Sequence, residues 1–135
     1  MFSGFAAAQT PKPRFKTLHE FAWGVVGFTD GFSPTGVVIG PGGVLYGVTR
    51  FGGGPLDKGS AYSLTPPATP GGSWTEVVYA FPGGDAGTDP YGVLVGRNGV
   101  LYGMTQLGGT SNLGTVFSLS PGPPGGPPAN GNGPL

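Results

Sequence analysis

Three features of the chain predict an all-β fold of two four-stranded, propeller-blade-like sheets. The first is a repeated phrase: Gly43-Val44-Leu45-Tyr46-Gly47-Val48-Thr49 returns as Gly99-Val100-Leu101-Tyr102-Gly103-Met104-Thr105, and each copy runs on into a glycine pair, Gly52-Gly53 or Gly108-Gly109. The second is composition, because 30 glycines and 16 prolines fall in clusters that punctuate short apolar stretches. They follow no Gly-X-Y period, which excludes collagen and leaves turns. The third is periodicity. Each unit spans roughly 55–60 residues and holds four short strand-like stretches with no helical pattern, the size and content of a propeller blade or a comparable four-stranded sheet.

Taken in order, the chain opens with Phe2-Ser3-Gly4-Phe5-Ala6-Ala7-Ala8-Gln9. This stretch resembles the end of a secretory signal with Ala6-x-Ala8 as its cleavage pattern, but it lacks a basic n-region and a full apolar core, so a mature N-terminal extension is the competing reading. Thr10 to Arg14, with Pro11 and Pro13, is too proline-rich for a ladder and reads as an extended connector. Phe15-Lys16-Thr17-Leu18-His19-Glu20-Phe21 has strand character and aligns with Glu76-Val77-Val78-Tyr79-Ala80-Phe81, bringing Phe21 onto Phe81 and His19 onto Tyr79. A loop from Ala22 to Ser33 follows the first of these, and a shorter loop from Pro82 to Asp89 follows the second.

Gly36-Val37-Val38-Ile39 and Gly92-Val93-Leu94-Val95 are the next matched strands, closed by the turns Gly40-Pro41-Gly42-Gly43 and Gly96-Arg97-Asn98-Gly99, the latter with a strong Asn-Gly hairpin signal. The Val-Leu-Tyr-Gly strands then pair back. Their internal Gly47 and Gly103 weaken a strand unless a packing reason demands them. Gly59-Ser60-Ala61-Tyr62-Ser63-Leu64 and Gly114-Thr115-Val116-Phe117-Ser118-Leu119 complete the match with period-two alternation. After Leu119 the chain continues in proline and glycine through Asn130 to Leu135 without a strand equivalent to the one after Trp74. The organisation expected is an N-terminal extension or signal remnant over residues 1–14, a two-repeat β domain over 15–121 with repeats of about 15–73 and 74–121, and a Pro/Gly-rich tail over 122–135.

These residues resemble the GloVer tandem repeat of bacterial proteins predicted to be exported and often carrying varied C-terminal anchors. Its pattern is Leu-Tyr-Gly-x-Thr, a Gly-Gly turn, Gly-Thr-Val-Phe-x-Leu and a following Leu-Tyr-x-Phe strand. The likeness covers roughly residues 15 to 126; Leu101 to Thr105, Gly108-Gly109 and Gly114 to Leu119 fit closely, whereas the first copy departs at Ser60-Ala61-Tyr62 and carries His19 in place of a tyrosine. The resemblance implies a propeller-like array outside the cell or at its surface. It implies no activity, and its members usually carry many more than two repeats.

Several function classes fall away. Charged residues make up 9% of the chain and the formal net charge is zero, so there is no basic footprint for nucleic acid and no polybasic patch for anionic lipid. No apolar run approaches the ~18 residues that span a bilayer. With no cysteine there is no disulfide, thiolate nucleophile or Cys-based metal site. His19 is the sole histidine and, aligned with Tyr79, reads as a strand residue, neither zinc ligand nor general base. Asp85 and Asp89 lie in a glycine loop without EF-hand spacing and read as turn residues. No nucleophile elbow, Walker loop or dinucleotide fingerprint occurs, so a non-enzyme without cofactor or metal is expected.

Apolar residues on both strand faces, such as Val44, Tyr46 and Val48 against Leu45, require a neighbour on each side of each sheet. Two stacked sheets leave two outer faces, and leaving several hundred Å² of each wet forfeits roughly ten kcal/mol at ~25 cal/mol per Å². With blades at Thr35–Phe81 and Tyr91–Leu119, the second sheet lacks its outer strand while Phe15–Phe21 is an outer-type strand with no blade in front of it. Copies of the chain are therefore the expected partner. The second sheet is completed by a strand from a neighbouring subunit, head to tail, in a filament or a closed ring. Assembly residues are Phe15, Leu18 and Phe21, with Phe2 and Phe5 on an adjacent subunit. A compact sandwich in which Phe15–Phe21 pairs within its own chain is the competing arrangement. The alternative function is a glycan-binding oligomeric propeller lectin in which Trp23 and Trp74 stack on sugars.

Overall fold

The computed structural model describes residues 3–22, 30–120 and 129–130. Alternating residues and glycine-rich turns produce two antiparallel sheets with little helix. The first runs in chain order through β1 (Gly31–Ile39), β2 (Leu45–Gly52), β3 (Ser60–Thr65) and β4 (Thr75–Ala80). The second runs through β5 (Thr88–Val95), β6 (Leu101–Leu107) and β7 (Thr115–Ser120), with a two-residue bridge, β8 (Ala129–Asn130), at its edge.

The repeat is one of backbone as well as sequence. In each sheet the first hairpin closes on a single turn of 3-10 helix, Pro41–Gly43 or Arg97–Gly99, in which Gly42 (φ 67°) and Asn98 (φ 58°) take the left-handed conformation. Glycine and asparagine are the residues that tolerate it most readily. The second hairpin closes on a matched side-chain bond: Gly52 N donates to Asp57 Oδ1 at 2.6 Å, and Gly108 N donates to Asn112 Oδ1 at 2.9 Å. Thr49 and Ser60 share a hydroxyl hydrogen bond of 2.7 Å beneath this turn, as Thr105 and Thr115 do at 2.8 Å.

Gly47 and Gly103 have a packing reason. Gly47 pairs across the ladder with Tyr62 and Gly103 with Phe117. A Cβ on Gly47 would run into the Tyr62 ring, and one on Gly103 would stand 2.5 Å from Phe117 Cζ. The missing side chain is the floor on which the cross-strand ring lies, so the cost of glycine within a strand is offset by ring burial.

The sheets pack face to face through β5, which lies against β1 and β2. Tyr46, Val48, Ala61, Tyr79 and Phe81 on one side meet Val93, Val95, Leu101, Phe117 and Leu119 on the other. Pro90 is buried at this junction against Gly59, where a Cβ would collide with the proline ring.

Two expectations change. Phe15–Phe21, expected as a strand, is irregular chain with a bend at Leu18 and pairs with no strand among the described residues. His19 is therefore not a strand residue. The edge of β7, expected to lack any partner from its own chain, pairs at Leu119 and Ser120 with Asn130 and Ala129. Two residues do not make an outer strand, and Thr115 to Ser118 carry no ladder partner on that side among the described residues.

Replacing Gly47 by valine inserts two methyls and a Cβ under Tyr62. The expected loss is about 1–3 kcal/mol, the usual range for overpacking, read as a lower urea midpoint; an unchanged midpoint would contradict the ring-on-glycine packing.

Candidate functional site

Equivalent residues of the two repeats meet different surroundings. Val48 and Ala61, paired across β2 and β3, are 0% and 1% exposed, whereas their counterparts Met104 and Val116, paired across β6 and β7, are 53% and 80% exposed. The reason is that the second sheet covers the rear face of the first, and nothing among the described residues covers the rear face of the second. Leu94, Tyr102, Met104 and Val116 line an apolar depression there. At the opposite end the relation reverses. Val93 and Val95 pack in the core while their counterparts Val37 and Ile39 are exposed, and Pro90 is buried while Pro34 is exposed.

The rear of the first sheet and the front of the second thus form one junction inside the chain. That internal junction also carries polar links. Arg50 Nη2 lies 3.3 Å from Asp89 Oδ2 and donates to Gln106 Oε1 at 3.0 Å, and Asp89 N donates to the Lys58 carbonyl at 3.3 Å.

A groove of about 270 Å³ runs along the unpaired side of β7, between Thr115–Leu119 and the residues Tyr79, Phe81, Asp85 and Ala86. In the first sheet the same flank of β3 is filled by β4, which pairs from Ser60↔Ala80 to Thr65↔Thr75. The groove thus flanks β7 on the side where β4 flanks β3 in the first sheet.

The N-terminal segment supplies the second half of this geometry. Phe21 stands edge-on to Tyr62 at 5.0 Å and 70°, and Phe81 stands edge-on to Phe117 at 5.0 Å and 72°. His19 lies against Phe21 at 4.7 Å as Tyr79 lies against Phe81 at 5.8 Å, both T-shaped. The alignment of Phe15–Phe21 with the β4 region is thus realised in contacts without a ladder: the segment caps the front of the first sheet as the end of β4 caps the front of the second.

The cap brings together three polar side chains that sequence spacing kept apart. His19 Nε2 lies 3.2 Å from Glu76 Oε1 on β4 and 3.6 Å from Asp30 Oδ2 just before β1. Burial pushes the Glu76 carboxyl above its usual range; the nearby Asp30 carboxylate, through its charge and a hydrogen bond, adds to this and His19 opposes it. Burial, helped by the Glu76 charge, likewise raises Tyr62, and burial alone raises Tyr79. No motif in the sequence signals this cluster, because its members come from three separate segments and meet only when the cap closes.

Of the residues expected to act in assembly, Phe5, Phe15 and Leu18 are exposed, Phe21 is half-buried on Tyr62, and Phe2 lies outside the described residues. Trp74 is half-buried just before β4, and Trp23 lies outside the described residues. No helix among the described residues is long and apolar enough to cross a membrane.

Phe81 is buried on both sides, so Phe81→Ala is expected to cost about 3–5 kcal/mol. Phe21→Ala, which removes a half-buried ring from one face, is expected to cost clearly less; equal losses in denaturant titrations would contradict the capping role assigned to Phe21. No protein-family model, curated protein or solved structure matches this chain.

Proposed function

We propose that this chain is a non-catalytic structural protein of the GloVer-repeat kind, acting outside the cell or at its surface, whose copies join head to tail into a filament or closed ring. The observation that carries the reading is the exposure of Met104 and Val116 where Val48 and Ala61 are buried. A surface whose twin is sealed by β5 fits a second sheet of the same construction, and the front of another copy, with Pro34, Val37 and Ile39 uncovered, has that construction.

The contact is heterologous, since a front meets a rear, and such contacts propagate. In this arrangement the Phe15–Phe21 segment of the incoming copy lies in the groove along β7 as β4 lies along β3, while its Phe21 stays on its own Tyr62. The donated segment displaces the two-residue bridge at Ala129–Asn130 and supplies a ladder of the length of β4. Gain of backbone hydrogen bonds at an open edge and burial of apolar rings drive the exchange together. Secretory localisation is supported by the Ala6-x-Ala8 pattern.

Val37→Asp closes the front and Val116→Asp closes the rear, and both positions are exposed, so each fold is expected to survive. Sedimentation velocity is expected to show concentration-dependent polymer for the parent chain and monomer for each variant alone. An equimolar mixture of the two variants is expected to give dimers and nothing larger, because one sound front remains for one sound rear. A parent chain that stays monomeric at every concentration overturns the reading; a variant that dimerises alone replaces it with a two-fold contact.

A further inference from the structure

We propose that His19, Asp30 and Glu76 form a binding site for a divalent transition-metal ion of the zinc class, which fastens the N-terminal segment to the first sheet. The three residues each offer one ligand atom, and these atoms lie within 4.8 Å of one another. The two edges at His19, 3.2 Å from Nε2 to Glu76 Oε1 and 3.6 Å to Asp30 Oδ2, lie close to the spacing that tetrahedral coordination requires. Donors ~2.0–2.2 Å from a tetrahedral zinc ion are roughly 3.3–3.6 Å apart.

A second observation is independent of the clustering. His19 Nε2 and Glu76 Oε1 are both shielded from solvent and neither has a hydrogen-bond partner. Buried polar atoms are nearly always satisfied, and an imidazole nitrogen and a carboxylate oxygen left unsatisfied while facing each other are the two donors a cation would take.

Asp30 is positioned as a ligating carboxylate usually is. Its Oδ1 accepts from Gly31 N at 2.8 Å and its Oδ2 from Ala22 N at 2.9 Å, so backbone groups on either side hold the carboxylate in place. Such outer contacts orient metal ligands and set affinity. Neighbouring carboxylates repel each other, and the pocket sets those of Asp30 and Glu76 beside a single imidazole. A divalent ion relieves the repulsion. One imidazole and two carboxylates suit zinc or its neighbours better than the all-oxygen sets of calcium and magnesium. Three protein ligands leave a fourth position for water.

The mechanical consequence follows from where the ligands sit. His19 belongs to the capping segment, Asp30 to the entry of β1 and Glu76 to the outer strand β4, so one ion joins both ends of the first sheet to the segment that covers it. This site does not depend on self-association, and it is tested on the isolated chain.

The experiment uses the full chain freed of metal with a chelator, then titrated with Co²⁺ as a spectroscopic probe and with Zn²⁺. The expected result is a visible absorption band of tetrahedral Co²⁺ saturating at a single ion per chain, lost on adding Zn²⁺, together with a rise in the thermal midpoint with Zn²⁺ and none with Mg²⁺. Glu76→Gln, nearly isosteric, and His19→Ala are each expected to weaken binding by more than the ~10–100-fold carried by outer-shell partners. Glu20→Ala, outside the cluster, is expected to bind as the parent does. Absence of the band and of the midpoint shift in the parent chain overturns the proposal and leaves a His19–Glu76 ion pair. Binding that survives both substitutions overturns it as well, because the ion then sits elsewhere.

Discussion

A sheet that is apolar on both faces has to be covered twice, and that requirement organises every other contact in this chain. The same aromatic contact solves it at both front faces: Phe81 meets Phe117 edge-on, and Phe21 meets Tyr62 with the same separation and nearly the same angle. In the first case the ring arrives on the end of a full outer strand. In the second it arrives on a segment that has no ladder. The ring contact is thus made without strand pairing, alongside the polar contacts of His19 and Ala22 with Asp30 and Glu76.

The backbone of the repeat is kept by a few positions with special geometry, while the rest of the sequence drifts. Gly36 and Gly92 sit at φ 74° and 63° beside the register shift in each first ladder, and Ser33 and Asp89 both sit at φ 57° one strand turn earlier. Asp57 and Asn112 share the left-handed conformation and the same side-chain bond to the glycine that begins the loop. Between these points the copies diverge, and the divergence falls on the junctions. Arg50 and Asp89 pair across the junction inside the chain, whereas their counterparts in the other repeat are Gln106, which accepts from Arg50, and Ser33, both uncharged. A junction between copies would lose the ion pair and with it much of its salt sensitivity.

The polar cluster under the cap belongs to the same logic. The second repeat places Tyr79 where the first has His19 and Ala86 where the first has Asp30. The front of the second sheet is sealed by the whole of the first sheet and has no need of a polar fastening. The front of the first sheet is covered only in part, by a short segment around Phe21, and there the chain concentrates a histidine and two carboxylates. The weaker hydrophobic cover coincides with the stronger electrostatic one.

The amino-acid sequence by itself determined the class, the repeat and the order of strands, because these rest on local rules: period-two alternation and the Asn-Gly and Gly-Gly turns. It also determined that Phe15–Phe21 corresponds to the β4 region, since Phe21 and Phe81 occupy equivalent positions. Only the tertiary structure decided that this correspondence is kept in ring contacts and not in a ladder, for pairing needs a free strand edge beside the segment, and β4 already occupies the flank of β3. It alone decided which of two equivalent faces is sealed, Val48 with Ala61 or Met104 with Val116, because that depends on what stacks behind the strand. It alone brought His19, Asp30 and Glu76 together, since proximity between three separate segments has no local signature.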